Sequence, residues 1–225
     1  NEYIRKNDDY NNRIFIIEDS RELNLTDYDM ENNRPTRVLY SVTKEEPNSI
    51  SMLDLIVSSL RFHPSLIVPA EVRDAAAYQA AVAGQTGHTI LTAFHADSAV
   101  DAYRRLVSMC HLAQTGLSDE HLLEMCAGAW PIMVFKKQLK DNSRKYMEIF
   151  EATGVENGRL QGRMLYRFVI RGIQRDEHGH VVKVTGSHER VGTISTELFG
   201  RLRDNGAPEA ELYRLFPNAC TEVTP

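Results

Sequence analysis

The run RIFIIED (13–19) is continuous, β-branched and aromatic, and it closes on two acids. That is the pattern of a strand buried on both faces. TRVLYSV (36–42) alternates apolar and polar positions and predicts a second strand. The period then changes. Leu53, Ile56, Val57 and Leu60 fall at i, i+3, i+4 and i+7, one stripe of a helix that runs to about Phe62 with Ser49 as its expected cap. SLIVP (65–69) is a short apolar strand. Asp74 opens a helix through AAAYQAAVA, with Gly84 as its expected stop, and HTILTAFH (88–95) predicts a further strand. Asp97 or Ser98 caps a helix through Val107, and Ser118 caps another to about Ala127. PIMVFKKQL and KYMEIFEATGV read as paired strands around the turn KDNSR.

Strand and helix alternate up to about Thr153. This predicts an α/β fold, a mostly parallel sheet with helices on both faces, finished by antiparallel strands. NGRLQGRMLYRFVI and EHGHVVKVTG then carry turn signals and short strands, and two small helices follow near Ser195–Arg203 and Pro208–Leu215. The expected division is therefore 1–154 for the main domain and 155–225 for a small α+β appendage.

A length of 225 residues with 42% hydrophobic content suffices for a substantial core. The net charge of −5 gives no support to a broad nucleic-acid surface, so direct nucleic-acid binding is not expected. Cys110, Cys126 and Cys220 share no metal-ligand spacing and read as reduced thiols. No apolar run approaches the roughly 20 residues that span a bilayer. The opening NEYIRKNDDYNN reads as the tail of a helix, so the sequence is expected to be the later part of a longer chain. FKKQLKDNSRK (135–145) is basic but short, and reads as a solvated hairpin tip.

In an open parallel sheet, ligands sit outside the carboxyl ends of the strands. Three predicted strands end there in polar groups: Glu18-Asp19, Glu71 and the His95 region. A carboxylate in that place can direct Mg²⁺, often through water. A second can orient an attacking water, and a histidine can stabilise charge on a phosphate. Each also has a structural reading: the acids as caps or arginine partners, with Arg73 beside Glu71, and the histidines as packing groups. A metal hydrolase built on Glu71, His88, His95 and Asp97 is the alternative. Against it, His88 and His95 are seven apart, which on a strand puts them on opposite faces.

Taken together, these segments resemble the traffic ATPases of the secretion superfamily, the motors of type II and type IV secretion, type IV pili and tight-adherence pili. RIFIIEDSREL resembles the family's Asp box. SMLDLIVSSLRFHPSLIVPAEVRD resembles the approach to its Walker B motif, and AGQTGHTILTAFHADSAVDAYRRL its His box. YMEIFEATGVENGRL and the later segment ending in LFP resemble the C-terminal region of the tight-adherence and conjugation branch. The resemblance implies a RecA-like ATPase core. By motif position, Glu18 and Asp19 match the Asp box, Glu71 the Walker B glutamate, Arg73 the arginine after it, and His88 and His95 the two His-box histidines. Arg61 matches the arginine of the Walker B approach. Arg34 and Arg37 lie where the family keeps arginines that reach a neighbouring subunit's phosphate. Glu18, Glu71, His88 and His95 are thus the implied catalytic set. Arg34, Arg37, Arg61 and Arg73 are the implied nucleotide contacts, and Asp19 with Glu71 the implied Mg²⁺ carboxylates. ATP as substrate, a homo-oligomeric and hexameric ring, an inner-membrane platform partner and a cytoplasmic place at the inner face of the membrane are implied with them.

Three departures accompany the resemblance. Pro69-Ala70 precede Glu71 where the family has glycine, Ser65 replaces an acid, and the 225 residues contain no G-x-x-x-x-G-K-[ST]. A P-loop upstream of the Asp box is the expected explanation of the last. A non-catalytic assembly module of the same fold, supported by Pro69-Ala70, and a RecA-like nucleic-acid motor are the competing readings.

Overall fold

The computed structural model describes residues 13–20, 22–23, 38–42, 50–217 and 219, with only the backbone for 38–42. The expected strand start at 36–37, the Ser49 cap, Arg34, Arg37 and Cys220 lie outside them. The chain divides into two compact units. The first takes the described residues up to His95 together with Tyr103–Trp130, and the second takes Ala96–Ala102 and the described residues from Pro131 onward.

The first unit is built on a parallel sheet of order β2-β1-β3-β4, from β1 (Ile14–Glu18), β2 (Val38–Val42), β3 (Leu66–Pro69) and β4 (Thr89–Ile90). β1 is buried along its whole length, as its unbroken apolar sequence requires between two parallel neighbours. α1 (Met52–Ser59) packs against β1 and β3. Its cap is Ser51, which forms a reciprocal capping box with Asp54, so the helix begins two residues later than a Ser49 cap would start it. α2 (Ala76–Gln85) opens where Asp74 Oδ1 accepts the Ala76 N–H at 2.9 Å. Gly84 does not stop α2. It lies inside the helix, where a Cβ would stand 2.7 Å from the Ala129 Cβ of α4 (Asp119–Ala129). The glycine is there for close helix packing. α3 (Ala99–His111) runs four residues past Val107. Cys110 and Cys126, on α3 and α4, are buried free thiols with sulfurs 3.9 Å apart.

The fourth strand is far shorter than HTILTAFH suggests, because of Pro69. The Leu91 N–H donates to the Ile67 carbonyl at 3.0 Å, so Ile67 faces β4. In a parallel ladder the next residue facing that way is Pro69, which has no N–H to give. The ladder ends, and β4 stops at Ile90.

The second unit is an antiparallel meander, β5-β6-β7-β8. Its strands are β5 (Ile132–Gln138), β6 (Arg144–Glu156), β7 (Arg159–Arg175) and β8 (Val181–Arg190). β5 and β6 therefore open a separate sheet instead of finishing the parallel one. The expected boundary at 154 falls inside β6, and β7 is a single long strand of 17 residues. Asn157 and Gly158, both at positive φ, make the tight β6–β7 turn. α5 (Thr196–Asp204) and α6 (Glu209–Leu215) contribute Leu198, Phe199 and Leu212 to a core around Leu165 and Ile194. Glu151, buried on β6, accepts both the N–H and the hydroxyl of Ser195, the residue that caps α5. Among the described residues no helix is long and apolar enough to cross a membrane.

Candidate functional site

A cleft of about 410 Å³ opens at the carboxyl edge of the parallel sheet. Register explains its composition. Ile17 pairs with Pro69, which sets Glu18 of β1 beside Ala70 and Glu71 one residue beyond. Past the end of the β3–β4 ladder, the Val72 N–H donates to the Ala93 carbonyl at 3.0 Å. That bond holds the two exit segments together and brings His95 Nε2 to 3.7 Å from Glu71 Oε1.

Glu18 lies at the base of the cleft, 1% exposed. Its Oε1 accepts the N–H groups of Glu22 and Leu23, at 3.3 and 3.0 Å. Its Oε2 is buried with no hydrogen-bond partner among the described residues. An ionised carboxylate oxygen buried without a donor is costly, so the position calls for a donor beyond the described residues. Asp19 is at the rim, ion-paired with Arg73. The Asp19 hydrogen bond and charge, with Glu71 adding to them, hold the Arg73 guanidinium above its ordinary pKa. Arg73 therefore stays charged, with Asp19 as its counter-ion at the rim.

The structure thus gathers Glu18, Asp19, Glu71, Arg73 and His95. It does not bring in His88 or Arg61. β4 runs parallel to β3, and Leu66 pairs with Thr89, so His88 sits before the strand at the amino edge, where its Nδ1 is 3.3 Å from the Thr86 hydroxyl. Arg61 is in the 3₁₀ turn Leu60–Phe62 that precedes β3, also at the amino edge. The seven-residue parity argument for the two histidines fails because β4 has only two residues to alternate. They are separated by sheet edge, not by sheet face. Met52, Ser20, Glu22 and Phe94 also line the cleft. No periodicity or motif marks them, although Ser20 and Glu22 closely follow the acidic pair and Phe94 precedes His95.

As a place for a divalent cation, the cleft offers hard oxygen donors, Glu18 Oε2 and Glu71, which suit Mg²⁺ with retained waters. Among the described residues no three His, Cys, Asp or Glu side chains converge as a complete cage. Asp19 is a poorer donor than its sequence suggested, since Arg73 already occupies it.

These features define an α/β domain with carboxylates gathered at one edge of a parallel sheet, followed in sequence by an antiparallel-sheet unit. The chain belongs to the Type II/IV secretion system protein family, whose model matches residues 2–206. It is 26% identical over 150 residues to the conjugal transfer protein TrbB of Rhizobium radiobacter, covering 66% of this chain and 42% of that protein. It is also 32% identical over 101 residues to an uncharacterized protein of Methanocaldococcus jannaschii, covering 43% and 16%. The crystal structure of the VirB11 ATPase from the Brucella suis type IV secretion system, in complex with sulphate, shares the fold with a TM-score of 0.57 at 22% identity. That match spans 67% of this chain and 43% of the solved one. The chain thus spans well under half the length of the TrbB and VirB11 relatives.

Proposed function

We propose that this chain carries the strand-end catalytic groups of an ATP-hydrolysing motor that powers protein secretion, pilus assembly or conjugative transfer. The observation that carries the reading is the buried Oε2 of Glu18, without a partner among the described residues, in a cleft shared with Glu71. In this reading Glu18 accepts a hydrogen bond, and then a proton, from the attacking water. Glu71 and Glu18 would hold Mg²⁺, which when bound would supply neutralisation of phosphate charge. Arg73 fixes Asp19 at the rim, and His95 stands where the terminal phosphate leaves. A P-loop elsewhere in the intact protein supplies the amides and lysine that cradle the β- and γ-phosphates. A hexameric ring, an inner-membrane platform partner and a position at the cytoplasmic face of the membrane belong to the same proposal.

The assembly-module reading rested on Pro69-Ala70. The Ala70 N–H still donates to the Ile17 carbonyl at 2.9 Å, so the substitution leaves the β1–β3 side of the site paired. This supports the catalytic reading. The test is Glu71→Gln in the intact protein. Turnover is expected to fall roughly 10²-fold or more, about 3 kcal/mol, with ATP binding retained. His95→Ala should impair turnover more than His88→Ala. Near-normal turnover of Glu71→Gln, or equal effects at the two histidines, refutes the assignment.

A further inference from the structure

The second unit carries a feature that the proposed chemistry does not use. A groove of about 320 Å³ crosses one face of the antiparallel sheet, with Val134, Tyr146, Ile149 and Tyr166 as walls and Glu148, Arg167 and His188 among its edges. Val134 is 48% and Tyr146 55% exposed, and the His188 ring nitrogen meets the Tyr146 carbonyl at 3.0 Å. The groove adjoins the β5–β6 hairpin, which presents Lys136, Lys137, Lys140, Arg144 and Lys145 around the single acid Asp141. Lys136 Nζ stands 5.5 Å from the Tyr146 ring centre.

Positive charge is in excess here. Neither these five cations nor Arg167 has a carboxylate partner among the described residues, whereas Arg73, Arg171, Arg203 and Arg214 are each paired with an acid. The nearby acids keep their charge, and their hydrogen bonds come from neutral donors. Asp141 accepts from the Val184 N–H at 2.7 Å and from Ser143, and Glu148 accepts the Ala99 N–H at 2.9 Å. An apolar slot beside an excess of cations suits a ligand with an apolar side chain between carboxylates.

We propose that this face is a docking site for an acidic segment of a partner protein, which seats one or two large apolar side chains in the groove and sets its carboxylates against Lys136, Arg167 and the hairpin lysines. The size of the groove argues for this occupant over other polyanions. A cavity of about 320 Å³ accepts side chains. A nucleic-acid backbone or a lipid surface meets the cations but leaves the recessed apolar walls unfilled. The site is independent of the nucleotide reading.

The test is fluorescence anisotropy on the full chain with a fluorescein-labelled synthetic peptide that carries a Leu-Phe pair between runs of glutamate. Saturable binding is expected. It should weaken at least about tenfold in the double variant Lys136→Glu/Arg167→Glu and in Val134→Asp, and stay unchanged in Arg203→Glu on α5. A second peptide with Ser-Ser in place of Leu-Phe should bind at least about tenfold more weakly. Hydrogen exchange on the unsubstituted chain gives a readout free of variant folding, with peptide-dependent protection expected in β5 and β6. The proposal is overturned if the Ser-Ser peptide binds equally well, or if protection falls elsewhere. It is also overturned if anionic vesicles or oligothymidine displace the probe more effectively than unlabelled Leu-Phe peptide does, which would assign the face to a membrane or to nucleic acid.

Discussion

Glu18→Gln separates a functional carboxylate from a structural one. In the folded chain Glu18 is 1% exposed, its Oε1 accepts two backbone N–H groups, and its Oε2 has no partner among the described residues. A glutamine keeps the shape and the accepting oxygen and removes the charge. Each N–H bond then drops from the range of a charged acceptor, about 1.5–3 kcal/mol, to that of a neutral one, about 0.5–1.5. The two together cost about 1–3 kcal/mol. Against this stands the desolvation of a buried ion, which is several kcal/mol even after relaxation. The expected result is no loss of stability, and a gain of up to about 2 kcal/mol in urea unfolding. Turnover of the intact protein should meanwhile fall by about 10²-fold, the contribution of a positioned general base. A stable, inactive variant is the signature of a group kept at the expense of the fold for the sake of chemistry. A loss of about 3 kcal/mol or more would mean that both oxygens are structurally engaged, and the argument from the unpaired Oε2 would fall.

Gly84→Ala should destabilise the first unit by about 1–3 kcal/mol in urea titration, because the added methyl would meet Ala129 at 2.7 Å and the strain exceeds the roughly 1 kcal/mol gain in helix propensity. Glu151→Ala should cost about 3–5 kcal/mol, since it removes the carboxylate that holds both Ser195 donors at the start of α5. A double cycle with Ser195→Ala should show strong coupling, and additivity would refute the link. Asp141 is held below its ordinary pKa, first by the Ser143 hydroxyl and then by the Val184 N–H. Its folded pKa is the lower one, so its contribution to stability is complete above the unfolded value of about 3.9 and is lost as pH falls through the folded value. Carboxyl-carbon NMR titration reads this directly, and a midpoint at or above the unfolded value would contradict it.

The order of elements and the acids at the ends of β1 and β3 were legible in the sequence, because apolar period, caps and the Asn157-Gly158 turn act over a few residues. RIFIIE could only be a strand buried on both faces, and a buried parallel strand that ends in Glu18 delivers a carboxylate to the carboxyl edge. Pro69 was visible too, but its consequence was not. Only the pairing showed that its missing N–H faces β4, which cuts that strand to Thr89–Ile90 and leaves His95 on an exit segment beyond it. Gly84 looked like a stop because a glycine near a helix end usually is one, and its neighbour Ala129 lies 45 residues away in the chain. Arg73 lay beside Glu71 in sequence yet pairs with Asp19 across β1 and β3. The groove over β5–β8 gathers its walls from four strands, so the basic tip at 135–145 looked merely solvated until the sheet placed Tyr166 and His188 near it. Local sequence sets what each segment can form, through short-range sterics and hydrogen bonding. Which side chains then meet depends on long-range register, which a single chain of letters does not carry.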